Sequence, residues 1–311
     1  MPSEFTLIDR YFRRPVRHAV LGVGDDAAIV RPSPGCELVI STDMLVAGTH
    51  FFADDAPEDL GWKTLAVNVS DIAAMGAQPR WAVIAAALPT ANEAWLEKFT
   101  TGLFACADAF GIDLIGGDTT RGPRNFCVTI FGEVPHGQAL LRSGAHLYEE
   151  IWVSGMPGRA ALGLAHLQGR IELSEPALSV CLAALHRPQP RVELGLALRG
   201  IASAAIDVSD GLLADLGHLL EASRLAATLH IAALPPPGLE REAYLAGGDD
   251  YELIFTASAE HHAAILELSE ALDLPLTCIG KTEAGPAGRL AVFDATGQPV
   301  EIAQRGYDHF A

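Results

Sequence analysis

Ala66-Val67-Asn68-Val69-Ser70-Asp71-Ile72-Ala73-Ala74-Met75-Gly76 is the stretch on which the reading of the fold turns. Trp62, Leu65, Val69, Ile72 and Met75 recur at three- and four-residue steps, the spacing of one helix that opens near Pro57. The positions between them are mostly Ala, Val, Asn and Ser, so this helix is apolar almost all round and is expected to be buried. Asp71 stands in its middle, with Asn68 one turn earlier and no Lys or Arg within a turn. A buried carboxylate is costly unless it is paired, hydrogen-bonded or bound to a metal. Backbone N–H groups or a distant Arg could satisfy Asp71 as well as a cation could. What favours a cation is that the same oddity recurs along the chain.

Upstream, Gly22-Val23-Gly24-Asp25-Asp26-Ala27 sets two aspartates at the mouth of a short apolar strand. No helix pattern follows, so the glycines are not a dinucleotide fingerprint. A strand over Leu38–Ile40 is expected to run into Ser41-Thr42-Asp43 at its end, a cluster of hard oxygen donors. His50 follows in the loop Gly48-Thr49-His50-Phe51. Downstream, Trp81–Leu88 reads as a buried strand and Asn92–Phe110 as a helix. Ile112–Ile115 reads as a strand ending in Gly116-Gly117-Asp118-Thr119-Thr120, where paired glycines allow close approach of a ligand. Phe126–Val134 is a further strand.

A second α/β unit is expected beyond a connection over 135–150, in which Arg142 stands among small residues as a possible phosphate contact. Its strands are expected near 151–155, before Asp207, and near 251–256, 276–280 and 289–293, with a helix running through Leu167 and others over 176–186, 191–199, 212–220 and 259–271. Asp207-Val208-Ser209-Asp210-Gly211 repeats the pattern of acids after an apolar strand, with Ser209 or Asp210 a candidate helix cap. Gly280-Lys281-Thr282 is no Walker loop, because Pro275 stands where that loop needs glycine. His261 and His262 are expected on an exposed helix face without an acidic partner. The closing Gly306-Tyr307-Asp308-His309-Phe310 is aromatic enough to dock.

A chain of 311 residues suits two domains, and the 50% apolar and 19% charged composition is that of a globular protein. No apolar run approaches the ~20 residues of a membrane span. The first residues, Met1 to Phe5, carry no signal-peptide pattern, and five scattered cysteines read as buried thiols, so a reducing, cytoplasmic setting is expected. A net charge of −18 argues against a nucleic-acid partner. It would also repel an anionic substrate unless cations intervene. Asp26, Asp43, Asp71, Asp118, Asp207 and Asp210, with Ser41 and Thr42, form a donor set without Cys or His. That set suits Mg²⁺, which bridges carboxylates to phosphate oxygens, and the expected guest is a nucleoside triphosphate.

Taken together, Gly24-Asp25-Asp26-Ala27, Ser41-Thr42-Asp43, Asn68 to Gly76, Gly116 to Thr120, Ile206 to Leu212 and Gly248-Asp249-Asp250-Tyr251-Glu252-Leu253 resemble the thiamine-monophosphate kinase family. The resemblance runs in order from about residue 4 to Phe310. It implies a two-domain α/β (α+β) fold of the aminoimidazole-ribonucleotide-synthetase type. Residues 1–137 would form an N-terminal Mg/ATP-binding domain, a mixed sheet with helices on one face that pairs in a homodimer. Residues 138–311 would form a C-terminal α/β sandwich that completes the site. The implied activity is ATP-dependent conversion of thiamine monophosphate to thiamine diphosphate with several Mg²⁺ ions. By position, the resemblance gives Asp26, Ser41, Thr42, Asp43, Asp71, Asp118, Asp207 and Asp210 to the metals. It gives Gly117, Asp118, Arg142 and Ser209 to ATP, and His50, Asp249 and Tyr307 to the thiamine substrate.

The chain departs from the family pattern at Asp249, where Glu is common, at His146-Leu147-Tyr148-Glu149-Glu150 and in a shortened loop at Pro235-Pro236-Pro237. Related alternatives are an aminoimidazole-ribonucleotide or selenophosphate synthetase and a Mg-nucleotide sensor without turnover. The selenophosphate type wants a reactive Cys near the N-terminus, whereas the first here is Cys36 in a proline-rich turn. A hydrogenase-maturation relative wants a C-terminal Cys, and this chain ends in Phe310-Ala311. A phosphate monoester is already anionic near neutrality, its second pKa being about 6, so no general base is expected.

Overall fold

The structure, a computed structural model, describes residues 4–232, 234–302, 304–307 and 309. The chain divides into two compact units, Met1–Ile72 with Ala77–Gly137, and Ala73–Gly76 with Gln138–Ala311.

The first unit opens with α1 (Glu4–Leu7) and a π-helical turn over Ile8–Phe12, then the antiparallel pair β1 (Ala19–Leu21) and β2 (Ile29–Val30). There follow β3 (Cys36–Val46), α2 (Pro57–Ala74), β4 (Gln78–Leu88), α3 (Glu93–Phe110), β5 (Asp113–Arg121) and β6 (Asn125–Pro135). The main sheet has the order β3-β6-β4-β5, antiparallel except for the β4–β5 pair. Asn92 caps α3 by accepting the Trp95 N–H at 3.2 Å, and Gly111 ends it in the left-handed region at φ 68°. Both long helices cover one face of the sheet: Phe99 stacks on Phe126 at 4.5 Å, and a Cβ on Gly132 would meet Ile72. The helices touch through glycines. A Cβ on Gly61 would lie 1.9 Å from the Phe99 carbonyl oxygen, and one on Gly102 1.7 Å from that of Glu58. As the spacing predicts, α2 is buried nearly all round, with Val69 and Ile72 wholly enclosed.

The second unit contains a 3₁₀ turn Arg142–Gly144, β7 (Glu150–Ser154), α4 (Arg159–Leu167), α5 (Ala177–His186), α6 (Val192–Ala197) and β8 (Ala202–Asp207). It continues with α7 (Leu212–Ser223), β9 (Ala226–Ile231), α8 (Leu239–Ala246), β10 (Leu253–Ala257), α9 (His262–Ala271), β11 (Leu276–Glu283) and β12 (Leu290–Asp294). The sheet order is β12-β9-β11-β7-β10-β8, antiparallel except β12 with β9. Ile151, Val153, Ile206 and Ile254 pack with the leucines of α7 on one face. Trp152, Phe255 and Leu253 pack with Leu194, Leu198 and Ile265 on the other, which makes an α/β/α sandwich. Burial on both faces is why Ile151–Val153 of β7 and Leu253–Phe255 of β10 are continuous apolar runs instead of alternating.

Several expectations need correction. Ser41-Thr42-Asp43 lie inside β3, which runs on to Val46 in unbroken register with β6. Polar residues are tolerated there because the backbone makes the ladder and one sheet face is open. Likewise Gly116–Thr120 lie inside β5, where the register with β4 shifts between Ala82 and Val83, so the glycines mark a bulge and not a strand end. Neither Ser209 nor Asp210 caps α7; the N-cap is Gly211, with no side-chain bond. His262 has an acidic partner: its Nδ1 lies 2.7 Å from Glu150 Oε2, and its ring packs on Trp152 at 5.0 Å. Of the five cysteines, all free, only Cys106 and Cys181 are buried. The strand β9 and helix α8 add elements that the sequence reading does not contain, whereas Gly280–Thr282 lie within β11 and form no phosphate loop.

Candidate active site

In the first unit the site begins with the alternation of β3. Ser41 Oγ donates to Asp71 Oδ2 of α2 at 2.5 Å, and the Asp43 N–H donates to Asn68 Oδ1 at 3.0 Å. The residues that looked odd in an apolar helix are thus turned to the strand, Asn68 fully buried and Asp71 half-buried. Thr42, between them, faces the other way and shares a 2.8 Å hydrogen bond with Thr129. Of the three neighbours, only Ser41 and Asp43 share a face with Asp71. His50 folds back at the end of β3, where its Nδ1 accepts the Val46 N–H at 3.0 Å.

Asp26, Gly117 and Asp118 meet in a cleft of about 1200 Å³. Gly117 has φ +150°, and a Cβ there would stand 1.9 Å from the Ile84 carbonyl oxygen, so the bulge admits no side chain. Asp118 is exposed beyond it. Two cations absent from the sequence expectation, Arg10 and Arg13, also line this cleft, tethered to Glu93 at 2.6 Å and to Asp9 at 2.7 Å. Arg13 lies over Gly24, where a Cβ would approach its guanidinium to 3.0 Å.

In the second unit, main-chain hydrogen bonds tie three distant segments into one knot. Val208 N–H donates to the Glu252 carbonyl at 2.8 Å, and Tyr251 N–H to that of Val208 at 2.8 Å. Asp249 N–H donates to the Ser209 carbonyl at 2.8 Å, and Tyr307 N–H to that of Asp210 at 3.0 Å. The main chains of Ser209, Asp210, Asp249 and Tyr307 are thereby brought together, next to Asp207, which is buried at the end of β8. The tail docks as expected as far as Tyr307, whose ring meets His309 edge-on; Asp308 and Phe310 lie outside the described residues. Asp249 and Tyr251 have φ of 74° and 54°, strained values for residues with side chains, held by these bonds. Arg142 is not part of the knot. Its exposed turn is anchored at the other ends of β8 and α7, with a Gly144 Cβ position 1.9 Å from the Ser203 carbonyl and the Arg142 carbonyl accepting from Ser223 Oγ at 2.7 Å.

Two carboxylates that sequence reasoning did not single out hold the knot. Asp215 Oδ2 accepts the N–H groups of Ser209, Asp210 and Gly211, each at 3.0 Å. Burial pushes its pKa up to about 6, and the charge of Asp210 adds to this, against the pull of the three N–H bonds. Glu252, 6% exposed, is gripped by Arg191 Nε at 2.7 Å and Nη2 at 2.6 Å and by Ser154 Oγ at 2.6 Å. Asp250 accepts from Gly158 and Ala160 at the start of α4; burial, with smaller contributions from Glu252 and Asp249, holds its pKa up at about 7.

Among the described residues, no three His, Cys, Asp or Glu side chains gather closely enough to hold a metal ion unaided. Mg²⁺ needs only one or two protein carboxylates, since waters and phosphate oxygens fill the rest of its octahedron. Ser41, Asp43 and Asp71 are hard-oxygen donors of the type that Mg²⁺ takes.

Comparison with known proteins gives this arrangement a family. Residues 24–134 match the AIR synthase related protein N-terminal domain, and 145–293 match the corresponding C-terminal domain. A thiamine-monophosphate kinase of Salmonella typhimurium is 47% identical over 99% of this chain and 98% of its own. The crystal structure of thiamine-monophosphate kinase from Stenotrophomonas maltophilia K279a superposes with a TM-score of 0.84 at 46% identity, covering 96% of this chain and 98% of that one. A structure described as AaThiL complexed with AMPPCP and TMP has a TM-score of 0.76 at 30% identity, covering 99% and 97%. Likeness at this level along both units places the chain in the thiamine-monophosphate kinase family.

Proposed function

We propose that this chain transfers the γ-phosphoryl group of ATP to thiamine monophosphate, giving thiamine diphosphate. The observation that carries the reading is the knot in the second unit. It fixes Ser209 and Asp210, the nucleotide and metal positions of the family pattern, against Asp249 and Tyr307, the thiamine positions. The relative that holds AMPPCP, an ATP analogue, together with TMP supports the same pairing of ligands.

In this reading Asp26, Ser41, Thr42, Asp43, Asp71, Asp118, Asp207 and Asp210 hold several Mg²⁺ ions. Thr42, whose hydroxyl is turned away, would contribute through its main chain. Gly117, Asp118 and Ser209 are the ATP positions in this reading, with Arg142, which stands apart from Ser209 at the other ends of β8 and α7, as a further ATP position, while His50, Asp249 and Tyr307 are the thiamine monophosphate positions. When bound, Mg²⁺ neutralises the phosphate oxygens and draws the two phosphate groups together. The residues themselves do little chemistry. The acceptor oxygen is already anionic near neutral pH, so nothing needs to remove a proton. Their work is alignment: each unit offers its ligand-binding groups on a rigid main chain, the glycine bulge in the first and the knot in the second.

Residues 1–137 would form the Mg/ATP-binding and dimerisation domain, and 138–311 would complete the nucleotide and substrate site. The first unit would pair with a second copy through the open face of its sheet. On that face the edge strand β3 leaves Leu38, Ile40 and Met44 exposed, at 39%, 57% and 53%. Sedimentation at micromolar concentration should give a dimer, and a monomer would remove that part of the reading.

The activity is tested by incubating the chain with Mg-ATP and thiamine phosphate and separating products by chromatography. Equal amounts of ADP and thiamine diphosphate are expected. ATP bound but not consumed would mean a sensor; ATP consumed without thiamine diphosphate would mean another substrate.

A further inference from the structure

We infer that Asp215 is a positioning residue for phosphoryl transfer, setting the Ser209–Gly211 main chain from which Ser209 and Asp210 reach their ligands. The inference rests on the kinase reading for its kinetic part only. Its geometric basis is a complete account of the backbone polar groups from Val208 to Gly211. The Val208 N–H and carbonyl are taken by Glu252 and Tyr251, the Ser209 carbonyl by Asp249 and the Asp210 carbonyl by Tyr307. The Gly211 carbonyl accepts the Asp215 N–H at 3.0 Å. The remaining groups, the N–H donors of Ser209, Asp210 and Gly211, converge on one oxygen of Asp215. Asp215 is 3% exposed, and its carboxylate holds the turn from β8 into α7, whose N-cap Gly211 makes no side-chain bond.

Three successive N–H groups ahead of a helix usually form a concave nest for an external anion. Here the chain's own carboxylate fills the nest from beneath. Without it the three donors would turn toward solvent or toward the bound phosphates, and the loop would change shape. Because Asp249 and Tyr307 hang on the outer carbonyls of the same segment, such a change would reach the thiamine positions too. Asp215 is not placed to touch substrate; it acts through the main chain that it holds.

The test compares the full chain with Asp215→Ala and Asp215→Asn by thermal melt, by steady-state kinetics and by calorimetric titration with Mg-AMPPCP. The amide oxygen of Asn can accept the same bonds, so Asp215→Asn should keep KM and the AMPPCP Kd within about threefold of wild type. Asp215→Ala, measured well below its own melting temperature, should lose about 100-fold in kcat, the scale of an ångström of misplacement. Its Kd for Mg-AMPPCP should rise at least about tenfold. A folded Asp215→Ala with wild-type KM, kcat and Kd overturns the inference, as does an Asp215→Asn as defective as the Ala variant. If the Ala variant does not fold, Asp215→Glu decides, since it keeps the charge but displaces the acceptor by one methylene. Unchanged AMPPCP binding in folded Asp215→Glu is then the overturning result. A wild-type chain that binds Mg-AMPPCP but makes no thiamine diphosphate would refute the kinase reading, while the calorimetry still judges Asp215.

Discussion

Replacing Glu252 with Gln keeps the shape of the side chain and removes the charge that Arg191 grips. In the native unit two guanidinium bonds of 2.7 and 2.6 Å and a third from Ser154 satisfy a carboxylate that is almost out of reach of water. Ser154 Oγ in turn accepts the Leu253 N–H at 2.9 Å, so the carboxylate also steadies the start of β10. In Gln one oxygen becomes an NH₂ group that faces donors. Removing one partner of a buried pair costs about 3–5 kcal/mol. The Arg191 side chain is 26% exposed and recovers part of its hydration, which lowers the expected cost to about 2–3 kcal/mol. For a unit of this size that is a fall of roughly 5–10 °C in the melting temperature. Differential scanning calorimetry of Glu252→Gln, Arg191→Met and the double variant measures it, the double variant losing much less than the sum of the singles. A Glu252→Gln protein melting within about 2 °C of wild type, or strict additivity in the double variant, would refute the claim that this pair locks the knot.

Asp71→Asn should cut turnover in saturating Mg²⁺ by orders of magnitude while melts in EDTA stay level or rise, since Asn still accepts from Ser41; a destabilised variant with near-normal turnover sinks the metal assignment. Asp250 gives a pH signature, because burial raises its pKa from 3.8 to about 7 and the fold therefore prefers the neutral acid. Its contribution is complete below about pH 4 and is lost as pH climbs through 7, by at most about 4 kcal/mol, so melting temperatures of Asp250→Asn from pH 4.5 to 7.5 should slope less than those of wild type. Equal slopes would exclude it. Gly61→Ala drives a Cβ to within 1.9 Å of the Phe99 carbonyl and should destabilise the first unit by more than about 2 kcal/mol, read as a lower denaturant midpoint.

The helix α2 was legible because its apolar spacing is uniform and Asp71 breaks it visibly. The extents of β3 and β5 were not, because Ser41-Thr42-Asp43 and Gly116-Gly117-Asp118 look like loop chemistry. Ladder bonds between backbones override that composition, and the bulge opposite Ala82 and Val83 leaves no mark beyond the glycine pair. The second unit's strands were found as apolar runs, but Ala226–Ile231 is short and mixed enough to pass as connection. Aspartates were the hardest to sort. Asp113, Asp215 and Asp250 are each buried and spent on the chain's own N–H groups, while Asp26 and Asp118 are exposed. In sequence, Asp210 and Asp215 are alike, two acids flanking a helix start. Only the direction in which the backbone donors point tells them apart.

The closed accounting of the Val208–Gly211 backbone bears on how such a site can change over evolutionary time. A turn whose shape is fixed by its own main chain and by one carboxylate beneath it does not depend on the side chains it displays. Ser209 and Asp210 can then be exchanged one at a time, each altering what is bound without altering where the loop runs. One scaffold can in this way host different ligand chemistries through single substitutions, with the cost of refolding the turn avoided at every step.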